Sequence, residues 1–387
     1  MTQIKISNVH VVNADYLAKS QDVWIEHGKI QKIAQKIYEK AALEIDGSEK
    51  YLMPGFIDMH IHGSANADVM DATEQALHVL AASLVKEGVT SFLATTMTQD
   101  EEAIEAALET ISNFESQANE AQLLGVHLEG PFISKKRVGA QPVAYVIEPS
   151  VQLFNQWQQL SGNNIKQVTL APEVEGGLEL VQALRNQGVI ASIGHSDATL
   201  EEVKHAVALG VTQGTHLYNQ MRPFHHREPG VVGGVLLLPE VKIEAIADYI
   251  HSHPQALELA YRLKGSKNII LITDAMRAKG LPYGEYELGG QAVYVTEAGA
   301  HLTKGNLAGS VLTMDAAIRN MQLATKCGLC ELVAMSSYNA AQQLRLTQKG
   351  IIKPNADADV VLLSEQLTVE KTIVMGKVVF NRERGND

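Results

Sequence analysis

The residues able to do chemistry sit at separated but orderly places along this 387-residue chain. They are His60 and His62 in HIH, Glu129 in HLEGPF, His195 in IGHS, His216 in THLY and Asp274 in ITDA. Imidazole nitrogen and carboxylate oxygen suit zinc, iron or manganese better than calcium or magnesium. On a strand, residues i and i+2 point to the same side, so His60 and His62 can face one ion. Such an ion lowers the pKa of bound water from about 15.7 towards ~7, which provides a nucleophile for a poor electrophile such as an amide. A carboxylate beside it, as Asp274 would be, can take the proton of the attacking water and return one to the departing amine. A lone histidine is more often structural than ligating, and His10, His27, His78, His205 and His301 are read that way. Six ligand-type residues at strand ends are not.

The elements that must position these residues follow from the rhythm of the central chain. Short apolar runs alternate there with amphipathic stretches, which predicts parallel strands joined by helices. The strands are GFIDMHIHG, TSFLATTM, LLGVHLEGPF, QVTLAPE, VIASIGHS, TQGTHLYNQ, IEAIADYIH and NIILITDAM. This eightfold pattern over residues 54–345 predicts a closed (β/α)8 barrel of TIM type, an α/β fold whose active site lies at the carboxyl ends of its strands. No GxGxxG opens the first unit and no GxxxxGK[ST] occurs, so nucleotide-binding folds lack their usual support. Residues 1–53 and 346–387 alternate polar and apolar positions, with Gly28 at a hairpin turn, and together predict one small β-sandwich domain.

A net charge of −12 argues against nucleic-acid or anionic-membrane partners, which need a basic surface. The opening MTQIKISNVHVVNADY has no continuous apolar core, so neither a signal peptide nor a membrane anchor is expected and the cytoplasm is the expected setting. Cys327 and Cys330 have no second pair to complete a zinc site and are read as two core thiols.

With these residues in place, PGFIDMHIHG resembles the first-strand signature of the amidohydrolase superfamily. HLEGPF, IGHSDA, THLYNQM, REPG, ITDAM and LAGS together resemble the N-acetylglucosamine-6-phosphate deacetylases, over nearly the whole chain. The resemblance implies hydrolysis of N-acetylglucosamine 6-phosphate to glucosamine 6-phosphate and acetate in amino-sugar catabolism. It implies Glu129, His195 and His216 as main metal ligands and Asp274 as the catalytic acid/base. It further implies Asn219 and Gln220 as sugar contacts, and Arg227 and His251 as phosphate contacts, one of them supplied across a homodimer interface. Ala140, Asp248 and the backbone of Leu307, Ala308 and Gly309 complete the implied substrate site. Zinc is the first expectation for the ion, with iron, manganese or cobalt as further candidates.

Some members of that family lack the first-strand histidine pair and work with one ion. Here His60 and His62 are present, so a second ion is chemically possible, bridged by Glu129. Gln141 stands where the family often has a histidine that polarises the acetyl carbonyl; its neutral N–H is a weaker donor there. Tyr249, where a glycine is usual, is expected to narrow the sugar pocket. His225–His226 and Lys135–Lys136–Arg137 are read as solvated loop residues. Three other functions compete: an N-acetylgalactosamine-6-phosphate deacetylase, a cyclic amidase and an inactive sugar-phosphate sensor. Cyclic amidases usually carry a bridging lysine where this chain has Glu129, and the complete ligand set argues against the sensor.

Overall fold

The computed structural model describes residues 3–384. Eight parallel strands follow one another in chain order: Phe56–Ile61, Val89–Thr96, Gln122–Glu129, Ile165–Leu170, Ile190–Ile193, Val211–Gly214, Lys242–Ile246 and Ile269–Ile272. The eighth meets the first where the Asp274 N–H donates to the His60 carbonyl at 2.8 Å and the His62 N–H to the Ala275 carbonyl at 2.9 Å. The result is the (β/α)8 barrel, built from the eight runs the sequence predicts. Runs such as IILI are buried throughout, as parallel strands covered on both faces must be.

The helices start where the sequence offers an oxygen to the free N–H groups of a first turn. Thr73, Asp100, Ser150 and Thr199 each accept one, opening Glu74–Leu84, Glu101–Asn113, Val151–Leu160 and Leu200–Leu209. Each such cap stabilises its helix by about 1 kcal/mol. Apolar residues then recur on one face; Ile104, Ala107, Leu108 and Ile111 form the buried side of Glu101–Asn113.

The chain ends make a second, separate sheet of eight strands. Its seam is the antiparallel pairing of Tyr51–Pro54 with Val360–Leu363, and its own apolar cluster includes Ile6, Val23, Ile30, Ile352 and Val360. This is the small β-sandwich that both ends predict. The turn between its second and third strands holds His27 at φ 53° and Gly28 at φ 74°, the left-handed pair a tight hairpin demands. One element was not anticipated: a three-stranded antiparallel sheet, Gly284–Leu288, Gln291–Thr296 and Gly299–Leu302, inserted after the eighth barrel strand. Cys327 is buried but Cys330 is only partly so, and both are free thiols. No helix among the described residues is long and apolar enough to cross a membrane.

A buried ion pair fastens the insertion side to the barrel wall. Lys279 Nζ donates to Glu87 Oε1 at 2.6 Å, while the other oxygen of Glu87 accepts the N–H of Met314 at the start of the last barrel helix. Lys279→Met is expected to lower stability by about 3–5 kcal/mol, because it leaves the Glu87 charge buried without its partner. Urea unfolding checks this: the midpoint should fall for Lys279→Met and recover in Glu87→Gln/Lys279→Met. A single variant as stable as the wild type would refute it.

Candidate metal centre and active-site cleft

Six side chains from five strand ends converge at the carboxyl-terminal mouth of the barrel. Glu129 Oε1 lies 3.3 Å from His195 Nε2 and 3.1 Å from His216 Nε2, and the two nitrogens are 3.1 Å apart. Ligands held tetrahedrally at 2.0–2.1 Å from one ion stand roughly 3.3–3.4 Å from each other, so the donor atoms fit a single cation. His60, His62 and Asp274 form a second such group. His60 Nε2 is 3.4 Å and His62 Nε2 3.3 Å from Asp274 Oδ1. Glu129 faces both groups, with Oε1 3.5 Å from His60 Nε2 and Oε2 3.2 Å from His62 Nε2. The buried Nε2 of His60 has no hydrogen-bond partner, which leaves it free for an ion.

The electrostatics ask for positive charge. Burial opposes ionisation of Glu129, but His60, His195 and His216 outweigh it and hold its pKa well below the usual carboxylate range. Burial likewise opposes a charge on Asp274, yet His60 and His62 hold its pKa at about 2. For His62, burial lowers the pKa, and the hydrogen bonds its ring donates to Asp274 and Glu129 reverse this and raise it to about 9. Burial and the neighbouring His60 push His127 down to about 3, so that imidazole is neutral.

Backbone geometry aims these groups. His195, His216 and Asp274 have φ of 48°, 32° and 49°, and Tyr218, Gln220 and Tyr249 share the left-handed region. Non-glycine residues held there cost about 1–3 kcal/mol each and concentrate at functional sites. The second ring nitrogens are also held. His62 Nδ1 donates to the Thr95 carbonyl at 3.1 Å and His195 Nδ1 to the Arg137 carbonyl at 2.8 Å.

Above the ligands opens a cleft of about 460 Å³, including space continuous with solvent. Ala140, Gln141, Asn219, Gln220 and His251 line it with Leu307 and Gly309, together with His62, Glu129, His195, His216 and Asp274. The Gln141 amide oxygen accepts the Thr98 N–H at 2.8 Å and one of its N–H groups donates to Glu129 Oε2 at 2.8 Å. Only its second N–H is left for an acetyl oxygen. Asp248 is behind the wall. It accepts the Ile250 and His251 backbone N–H groups at 2.8 Å each and His251 Nδ1 at 2.7 Å, so it holds His251 in place. Ala308 is buried and does not line the cleft.

Arg227 lies outside its own chain's cleft and is exposed, with Nη1 2.9 Å from His226 Nε2. Besides Asp248 and Ala308, two sequence readings change. Tyr249 does not narrow the cleft, because its left-handed backbone turns the ring outwards and its hydroxyl donates to the Asn320 carbonyl at 2.6 Å. Arg137 is no solvated loop residue: its guanidinium grips Asp197 Oδ1 at 2.7 and 2.9 Å while its carbonyl orients His195. His225 and His226 are exposed, as expected. The sequence reading missed Met97 and Leu288, which supply apolar lining, and Leu288 belongs to the unanticipated sheet. It also missed Glu173, which accepts the Ser196 hydroxyl at 2.7 Å and the Asp197 N–H at 2.6 Å and so fixes the loop after His195. Its acidic side chain just after the fourth strand was the available signal.

Comparison with known proteins agrees with this geometry. The model of the amidohydrolase family matches residues 51–379. The N-acetylglucosamine-6-phosphate deacetylase of Lysinibacillus sphaericus is 58% identical over 96% of this chain and 97% of its own length. That of Bacillus subtilis is 44% identical over 97% and 96%. Among solved structures, the Thermotoga maritima N-acetylglucosamine-6-phosphate deacetylase superposes with a TM-score of 0.88 at 37% identity, covering 97% of this chain and 99% of that one. A mutant of the Mycobacterium smegmatis deacetylase in complex with N-acetyl-D-glucosamine-6-phosphate gives 0.92 at 27% identity, covering 98% and 100%. With its barrel, its two ligand groups and its relatives in agreement, the chain belongs to the amidohydrolase family and, within it, to the N-acetylglucosamine-6-phosphate deacetylases.

Proposed function

We propose that this cleft hydrolyses the acetamide of N-acetylglucosamine 6-phosphate, releasing glucosamine 6-phosphate and acetate, as a step of amino-sugar catabolism. The observation that carries the reading is the position of Glu129, shared by two groups of ligand atoms on the floor of a cleft walled by amides and His251. Glu129, His195 and His216 would hold one divalent cation, and His60, His62 and Asp274 a second. Zinc is the first candidate, from a donor set of imidazole and carboxylate. A cation bound there supplies Lewis acidity, polarising the acetyl carbonyl and acidifying water. Asp274, ionised at neutral pH, accepts the proton of the attacking water and passes a proton to the amine nitrogen, which cannot leave as an amide anion. Asn219 and Gln220 are assigned to the sugar hydroxyls, with Ala140, Leu307 and Gly309 beside them. His251, oriented by Asp248, is assigned to the phosphate. A charged sugar phosphate does not cross a bilayer unaided, which fits a cytoplasmic enzyme.

Among the described residues lining the cleft there is no lysine or arginine. We assign the missing phosphate partner to Arg227 of a neighbouring protomer in a homodimer, since its planar fork suits two phosphate oxygens.

Two measurements test this. Purified protein should release acetate from N-acetylglucosamine 6-phosphate, lose activity on chelation and regain it with one added metal. Asp274→Asn should lower kcat by about 10²–10⁴ with little change in KM; absence of acetate release by metal-loaded wild type would sink the reading. For the phosphate, Arg227→Ala should raise KM about 10–100-fold, the loss of a charge-assisted contact of roughly 1.5–3 kcal/mol. Mixing Arg227→Ala with Asp274→Asn should restore activity, because mixed dimers hold one intact site; no recovery would count against a contact across the interface.

A further inference from the structure

Directly beneath the ligand groups, the barrel interior is polar where bulky apolar layers are the rule. Its centre is Glu244, in the middle of the seventh strand and fully buried. One carboxylate oxygen, Oε1, accepts Gln167 Nε2 at 2.6 Å and Gln213 Nε2 at 2.7 Å. The other, Oε2, accepts the backbone N–H of His216 at 3.2 Å and lies 3.1 Å from His60 Nδ1. The two amides are oriented from outside: Gln343 Nε2 donates to Gln213 Oε1 at 3.0 Å, and Gln213 Nε2 to Gln167 Oε1 at 2.8 Å. Both therefore turn N–H groups towards Glu244. Three of its four partners can only donate, so the carboxylate acts as an acceptor throughout and the fourth, His60 Nδ1, must carry a proton.

We propose that Glu244 is a positioning residue for metal binding: by accepting the His60 Nδ1–H it fixes the tautomer that leaves Nε2 bare towards Glu129 and Asp274, and thereby sets the cation affinity of the His60–His62–Asp274 group. The contrast among the imidazoles supports a special role. His62 and His195 rest on neutral backbone carbonyls, and the buried His216 Nδ1 has no partner. His60 alone of the four is backed by a carboxylate, which makes an imidazole a stronger donor to a metal than a carbonyl does. The same carboxylate holds the backbone of His216, so one buried charge sets the level of a ligand in each group.

The inference rests on the reading that both groups take a cation, and its test keeps the two apart. Metal-stripped wild type and Glu244→Gln are titrated with cobalt(II), followed by visible absorption and by metal content after dialysis. Glutamine places an amide donor against either the Gln167 and Gln213 donors or His60 Nδ1; the second arrangement forces the proton onto Nε2. Wild type should bind two ions, and Glu244→Gln should hold the ion at His60, His62 and Asp274 about 10–100-fold more weakly, the larger of any two losses. Two ions bound equally by both proteins overturn the role of Glu244 alone. A single ion in wild type overturns the two-cation reading and this inference with it. If the variant does not fold, histidine ¹⁵N spectra of metal-loaded wild type decide, with the His60 signal identified by its absence in His60→Asn. A proton on Nδ1 is expected, and a proton on Nε2 overturns the proposal.

Discussion

The arrangement at the mouth of this barrel is governed by the cost of burying the Glu129 carboxylate. A carboxylate taken out of water loses several kcal/mol of hydration unless positive charge and hydrogen bonds replace it. Here Asp274 is buried in the same small volume, and Glu244 lies just below. Four imidazoles and a glutamine are the protein's own reply, and they are insufficient while neutral. Burial opposes charge on His60 and His62, yet the carboxylates of Asp274 and Glu129 outweigh it and raise both above the usual imidazole range. Metal and protons compete for the same lone pairs, which makes binding release protons. The cluster is unfavourable as an empty pocket and favourable as a cation site, and this asymmetry is the physical content of calling it a metal centre.

Holding six groups in register against that repulsion needs a stiff frame. The barrel supplies it through strained residues pinned by neighbouring backbone. The Ser134 N–H donates to the His195 carbonyl at 2.9 Å, and the Ser310 N–H to the Asp274 carbonyl at 2.7 Å. Both ligands have left-handed φ, so each hydrogen bond offsets strain where a side chain must point across the barrel axis instead of along a strand. The strain and the aim of the side chain are one feature, set by where the strand ends.

The legible parts of the sequence were those with a local signature. All eight barrel strands appear as short apolar runs, and all six ligand-type residues stand at their ends, because geometry forces chemistry to the carboxyl side. Less legible was anything requiring knowledge of a neighbour. His127, Gln167, Gln213 and Glu244 are buried polar residues within their strands, and each looks incidental until four strands place them at one level. The inserted sheet carried a readable sign in GGQAVYVTEAG, with alternation between glycine turns, but the barrel rhythm absorbed it. Tyr249 was misread because its residue type suggests bulk in the cleft, whereas the direction of its ring depends on a backbone angle that the sequence does not state.

Charge also explains how the substrate would be divided between two ends of the site. A sugar phosphate brings a charge of about −1.5 to −2 into a cleft whose floor already contains two carboxylates. Any cation held on that floor would be offset by Glu129 and Asp274 and engaged by the acetyl carbonyl, leaving little attraction for a second anion. His251 is itself paired with Asp248, which spends much of its charge nearby. One chain therefore brings both groups of ligand-type side chains and an amide-lined wall to the cleft, but no lysine or arginine among the described residues that line it. Arg227 stands on an exposed loop, facing nothing more demanding than His226. A guanidinium kept in solvent and a phosphate lacking its countercharge are complementary needs, and the proposed dimer would satisfy both without placing a strong cation where it would compete with bound metal for Glu129.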